Sequence, residues 1–252
     1  MSKLAIINDY WSTQAEAFTE ISVDELTSEK NALWKSILKP FVQTDRKLEI
    51  LDVGCGAGFF EIFLSCLGHH VTAVDFNGKM LAEARKNIEK LGRPELTKLM
   101  QMDAQNLAFQ DSVFDIVISR NMTWVLENPQ RAYGEWLRVL KPHGKLINFD
   151  ANWFLHLRDD TARRNFEEGQ AAVVEHGFEL KESDHGGELD NIFRELPLSG
   201  CRRPQWDFMT LANMGCEEIA VKFSLPKGLY DEYYEQLYKA IPTFMLCAVK
   251  TG

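Results

Sequence analysis

Residues 48–60 read LEILDVGCGAGFF, and this stretch decides the fold. Leu48, Ile50, Leu51 and Val53 form a short apolar run, the pattern of a parallel strand buried on both faces. Gly54, Gly56 and Gly58 then break the chain into a turn that leads into an apolar helix. Glycines at such a turn permit positive φ and let a ligand approach the main chain, while the helix offers free N–H groups at its start. The dinucleotide fingerprint G-x-G-x-x-G would need glycine at position 59, where this chain has Phe59. Asp52, two residues before the first glycine, places a carboxylate at the end of the strand, where it would repel a pyrophosphate.

A carboxylate there suits instead a ligand that carries an ammonium and a sulfonium group. The next segment supports that choice. Gly68 ends the first helix, Val71–Val74 is a second apolar strand, and it finishes in Asp75, 21 positions after Gly54. An acidic residue at that spacing, on the tip of the second strand, can accept both hydroxyls of a ribose. The pattern D-x-G-x-G-x-G from Asp52 to Gly58 resembles motif I of the class I S-adenosylmethionine-dependent methyltransferases. The passage from Phe109 to Val117 and the segment RVLKPHGKLI from Arg138 also resemble that family, in particular its ubiquinone/menaquinone-biosynthesis group. The resemblance spans about Tyr10 to Phe149.

The chain alternates strands and helices up to Asp150, which predicts an α/β fold with a doubly wound parallel sheet. Strands are expected at 48–53, 71–74, 99–102, 114–118 and 145–149, with Glu217–Phe223 and Phe244–Lys250 closing the sheet. Asn77 is a predicted N-cap for a helix closed by Gly92, and Asn128-Pro129 starts another that stops at Lys141-Pro142-His143-Gly144. The resemblance implies a seven-stranded Rossmann-like sheet whose last strand is antiparallel. Residues 1–45 are expected to form a helical cap, with a helix over Leu26–Leu38 closed by Pro40. Ligands of such sheets bind outside the carboxyl ends of the strands, where Asp52, Asp75, Asp103, Arg120 and Asp150 should converge.

After Asp150 the rhythm changes. The next helix of the sheet pattern, Gln205–Met214, begins some 55 residues later. Residues 151–204 are therefore an insertion within a single 1–252 domain, with one helix at Thr161–His176 and an irregular acidic stretch at Glu182–Gly200. It leaves the sheet at the ligand-binding end and carries Trp153, Phe154 and Phe193, so it is expected to act as a helical and irregular lid over the substrate.

Composition narrows the function further. A formal net charge of −9 argues against a nucleic-acid partner. The apolar runs are all shorter than the ~20 residues of a membrane span, and the amino terminus lacks a signal-peptide core, so a cytoplasmic protein is expected. Five scattered cysteines with no C-x-x-C pair indicate neither a disulfide framework nor a zinc site, and the histidines show no metal spacing.

The resemblance implies that S-adenosylmethionine binds at Asp52, Gly54, Cys55, Gly56, Gly58, Asp75, Phe76, Met80, Asp103, Ala104 and Arg120. Phe76 would lie on the adenine and Asp103 near its amino group; for each, ordinary packing or local capping is the competing role. Tyr10 and Trp11 are candidate lid or core residues. With Asn121, Trp124, Asn152 and Trp153 they form the candidate acceptor site. Asp150, His156 and His185 are candidate bases by position alone, and no catalytic residue is assigned. The Asn/Asp-Pro-Pro-Tyr/Phe run of methyltransferases that modify nucleic-acid bases is missing after strand four, where Ser119-Arg120-Asn121-Met122 stands. A small-molecule acceptor is expected. The rival functions are a non-catalytic protein that binds the same cofactor, and a nicotinamide-dependent oxidoreductase, which Asp52 and Phe59 disfavour.

Overall fold

The computed structural model describes residues 3–180, 187–223 and 225–252. Seven strands form one sheet: β1 (Glu49–Val53), β2 (His70–Asp75), β3 (Thr97–Gln101), β4 (Phe114–Arg120), β5 (Leu140–Asp150), β6 (Glu217–Phe223) and β7 (Phe244–Val249). Their order is β3-β2-β1-β4-β5-β7-β6. The first five are parallel, and β7 runs antiparallel to both β5 and β6. This is the doubly wound sheet expected from the sequence, with its last strand reversed.

Period-two side-chain placement sorts the central strands into two cores. Leu51, Val53, Val117 and Leu146 join Tyr133 and Trp136 of helix α5 (Pro129–Val139). Ile50, Ile116, Ile118 and Ile147 join Trp34 and Leu38 of α2 (Lys30–Val42) and Phe60 of α3 (Phe59–Cys66). Because β1, β4 and β5 are covered on both faces, their sequences read as near-continuous apolar runs.

Several boundaries differ from the sequence reading. The N-terminal cap is two helices, α1 (Lys3–Thr27) and α2, and α2 continues through Pro40 to Val42. β5 starts at Leu140, so Lys141–Gly144 lie within its span instead of in a loop. An irregularity between Phe114 and Ile116 accommodates the shift in register, and His143 adopts φ 60°. The insertion holds α6 (Asp160–Glu175) and also α7 (Gly187–Glu195) followed by a 3-10 turn at Pro197–Gly200. What was expected to be irregular after residue 187 is thus largely helical, because Ile192, Phe193 and Leu196 supply a buried apolar face.

Candidate functional site

The glycine turn hangs between β1 and β2. Gly54 and Cys55 donate their N–H groups to the Val74 carbonyl at 2.8 and 3.1 Å, which fixes the loop to the second strand. Gly54 has φ 74°, and a Cβ there would sit 2.3 Å from Met122 Cγ, so only glycine fits. Gly56 also has positive φ, but its Cβ position is open, which leaves the main chain free for a ligand to approach.

The turn floors a cavity of about 180 Å³. Nearly all the residues proposed for the cofactor line it: Asp52, Gly54, Cys55, Gly56, Asp75, Phe76, Met80, Asp103, Ala104 and Arg120. Gly58 does not. It takes φ 96° at the start of α3, where a Cβ would press on Ala84 Cα at 3.1 Å, so its smallness serves helix packing. Of the acceptor candidates, Trp11 and Asn121 line the cavity, whereas Tyr10, Trp124, Asn152 and Trp153 do not. Tyr10, Trp124 and Trp153 pack instead in or against the cluster around Phe193.

Asp75 is held by the backbone. Its Oδ2 accepts from Gly56 N at 2.9 Å and its Oδ1 from Asn77 N at 2.7 Å. Burial raises its pKa, and these N–H groups act against that rise. Asn77 caps α4 (Gly78–Leu91), accepting from Lys79 and Met80 N–H, and its amide nitrogen lies within hydrogen-bonding distance of Asn8 and Ser12 of α1. Asp103 Oδ1 accepts from Gln105 N, a local turn bond, while the residue still lines the cavity.

The roof belongs to α1, which contributes Leu4, Ile7, Trp11, Phe18 and Ile21 to the lining. Its Glu25 forms a bidentate pair with Arg120 at 2.6 and 2.8 Å, and the guanidinium lies over the rings of Trp34 and Phe59. Burial opposes the Arg120 charge, but Glu25 more than compensates and raises its pKa. Among the described residues of the lining Arg120 is the only cation, facing Glu25, Asp52, Asp75, Asp103 and Glu127. None of the lining residues comes from the insertion, which touches the roof instead: Ile192, Phe193 and Leu196 pack with Ile7 of α1.

Asp150 does not converge with the other strand-tip groups. It is 1% exposed, and its Oδ2 accepts from Arg203 Nη1 at 2.6 Å while its Oδ1 accepts from Ala151 N and Trp153 Nε1. Arg203 also holds Asp207 of α8 (Gln205–Asn213), and Tyr133 donates to the same carboxylate at 2.5 Å. Asn152 exchanges hydrogen bonds with the Arg203 backbone. Asp150 and Asn152 therefore clasp the two ends of the insertion together. His156 stacks on Phe166 at 4.1 Å beside a separate small cavity, and His185 lies outside the described residues.

Residues 51–148 match the family model described as a methyltransferase domain. Over this stretch the chain is similar to the methyltransferase family. Over 100 residues it is 36% identical to a phosphatidylethanolamine N-methyltransferase of Cereibacter sphaeroides, covering 39% of this chain and 48% of that protein. Over 134 residues it is 34% identical to a ubiquinone/menaquinone biosynthesis C-methyltransferase of a Ruegeria strain, covering 51% and 52%. The chain thus spans about half the length of the curated relatives it matches. The solved Haemonchus contortus phosphoethanolamine N-methyltransferase 2 in complex with S-adenosyl-L-methionine shares the fold, with a TM-score of 0.60 at 18% identity over 88% of this chain and 52% of that one.

Two buried acids, Glu25 and Glu61, escaped the sequence reading. Glu25 sits on a helix without a clear apolar stripe, and only its distant partner Arg120 explains its burial. Glu61 did leave a signal: it is the one charged residue in the apolar run Phe59–Leu64, and it is fully buried.

Proposed function

We propose that this chain transfers a methyl group from S-adenosylmethionine to a small-molecule acceptor in the cytoplasm. The observation that carries the reading is the charge of the cavity. Carboxylates of Asp52 and Asp75 flank an open glycine turn, and the single cation of the described lining is already paired with Glu25. Such a site repels a pyrophosphate and suits a cationic ligand. Its shape also supports the cofactor: Gly56 leaves the backbone bare where the methionine and ribose would pass, Asp75 is fixed by two N–H groups at the cavity wall where it would accept from ribose hydroxyls, and Phe76 and Met80 offer apolar contact for the adenine.

Bound there, the sulfonium would supply an activated methyl group, and the hard chemistry belongs to it. The chain's share is orientation and exclusion of water. Trp11, Phe18 and Ile21 on α1 cover the site, and the insertion braces that cover from outside, which assigns the lid to α1 with 151–204 as its support. The described lining contains no histidine, so the reading assigns no general base. Relatives are named for both N- and C-methyl transfer, and the acceptor is accordingly given as a class. Nucleic acid is not expected to serve, given the charge of −9. No helix among the described residues is long and apolar enough to cross a membrane, and all five cysteines are free, as suits a reducing compartment.

Calorimetry tests the cofactor directly: S-adenosylmethionine and S-adenosylhomocysteine should bind, and NADH should not. Incubation of radiolabelled S-adenosylmethionine with cell extract should then place label in the small-molecule fraction. Label confined to RNA or DNA, or NADH binding without S-adenosylmethionine binding, would overturn the reading.

A further inference from the structure

Glu61 is the third residue of α3 and is completely buried, directly beneath the glycine turn. Among the described residues no donor meets either carboxylate oxygen in standard hydrogen-bond geometry, and the polar groups closest to it are its own backbone, the Cys55 thiol and Asp52. An unpaired carboxylate in such a place is costly, and native proteins seldom keep one without a use. The groups that face it are themselves acidic: Asp52 at the end of β1, the Cys55 thiol in the turn, and Asp75 at the end of β2. Arg120 on β4 acts on Asp52 from further off, with its guanidinium bound to Glu25. From α4, the neighbour of the turn is Asn87, a neutral amide that donates to Ala57 O.

We propose that Glu61 is a second recognition residue for the ligand's ammonium group, acting through Asp52 as a carboxyl pair that holds one proton when empty and gives it up when the cation arrives. The inference rests on the cofactor reading above and adds a residue to it. Its physical basis is that both carboxyls are buried beside the glycine turn and, among the described residues, no cation bonds either. Asp52 and Glu61 cannot both ionise cheaply side by side in a buried site, so one proton between them relieves the repulsion. An ammonium against Asp52 supplies the missing positive charge. The proton then leaves the carboxyl for the buffer, and the pair becomes doubly negative around the cation. Burial raises both carboxyls, Glu61 to about 7 against the pull of its own backbone, the Cys55 thiol and Asp52, so the pair still holds a proton near neutral pH.

The test is titration calorimetry of S-adenosylhomocysteine in buffers of different ionisation enthalpy. The wild-type chain should release close to one proton on binding near neutral pH, and affinity should rise with pH for as long as the empty pair keeps that proton. The control probe is 5′-methylthioadenosine, which keeps the nucleoside and lacks the amino acid; it should bind without proton release. Glu61→Gln, similar in shape and always neutral, should abolish both the release and the pH slope while leaving methylthioadenosine affinity unchanged. A merely structural Glu61 would not separate the two ligands. Equal proton release with both ligands, or unchanged release in Glu61→Gln, overturns the proposal. If the variant does not fold, the wild-type comparison of the two ligands still decides. Failure of both ligands to bind the wild-type chain would instead overturn the cofactor reading.

Discussion

At the foot of the insertion, Asp150 and Asp207 are buried with Arg203 between them, whereas beneath the glycine turn Asp52 and Glu61 are buried with no cation in hydrogen-bond contact among the described residues. Both clusters take carboxylates out of water at the sheet's ligand-binding end. The first carries its own counter-ion and spends its hydrogen bonds internally, on Tyr133, Trp153 and the backbone of Ala151. The second stands beside a cavity and has no cation bonded to it among the described residues. A closed network of the first kind fixes structure, and an open one of the second kind waits for a ligand. The distinction could not be made from residue type, since all four are acids near strand ends or in adjacent helices.

The largest effect should come from breaking the closed cluster. Arg203→Ala leaves two carboxylates buried without their cation and should destabilise the chain by about 3–5 kcal/mol, read by urea or thermal unfolding. Adding Asp150→Asn and Asp207→Asn to that variant should recover part of the loss. If Arg203→Ala unfolds like the wild type, the two ends of the insertion are not clasped as described.

Next in size is Asp75→Ala, which should weaken S-adenosylhomocysteine binding by about 1.5–3 kcal/mol, the range for hydrogen bonds to a charged group. Calorimetry gives the number. Unchanged affinity would remove Asp75 from the site and with it half the argument from cavity charge.

The open cluster should instead show itself as a cost to the empty protein. A carboxyl whose folded pKa is raised stabilises the fold while it is protonated, and that advantage is lost as pH rises from its ordinary value toward its folded one. For Glu61 that window runs from 4.5 to about 7, and Asp52, pushed up by burial and by Glu61, shifts in the same direction. Glu61→Gln should therefore raise ligand-free stability at pH 8 by on the order of 2 kcal/mol and flatten the decline across that window. Asp115 behaves oppositely. Burial raises its pKa, yet Arg46, the Glu49 N–H and Lys141 outweigh this and hold it at about 2. Its contribution is present above the usual carboxylate range and is lost only as pH falls toward 2.

The sheet was legible because β1, β4 and β5 are buried on both faces and leave continuous apolar runs. The glycine turn was legible because backbone demands admit few residue types at Gly54. What escaped depends on distant partners. Helix α1 buries only Ile7, Ala15, Ser22 and Glu25, so it shows no apolar stripe, and its roofing role follows from Arg120 and Asn77 far along the chain. Likewise Trp153 and Asn152 read as acceptor-site residues because they follow a strand tip. Their polar atoms are instead tied to Asp150 and Arg203, neither of which is identifiable as a partner until the fold is known.

The smallest predicted effect tests how α1 is held over the cavity. Asn77 joins two jobs: its Oδ1 caps α4, and its Nδ2 reaches the Asn8 carbonyl at 2.8 Å and Ser12 Oγ at 2.9 Å. The roof is thereby latched to the same residue whose N–H orients Asp75. Because an amide nitrogen has two protons and three acceptor atoms of α1 stand within reach, losing one acceptor leaves the others to compensate. Ser12→Ala should then cost only about 0.5–1 kcal/mol of stability. The larger change should appear in dynamics. Backbone amides of α1 should exchange faster in the ligand-free variant, while S-adenosylhomocysteine should restore protection, since a filled cavity gives Trp11, Phe18 and Ile21 a surface to pack on. If ligand leaves α1 exchange unchanged in both proteins, the helix is fixed scaffold, and the covering role would have to be sought in the insertion that braces it.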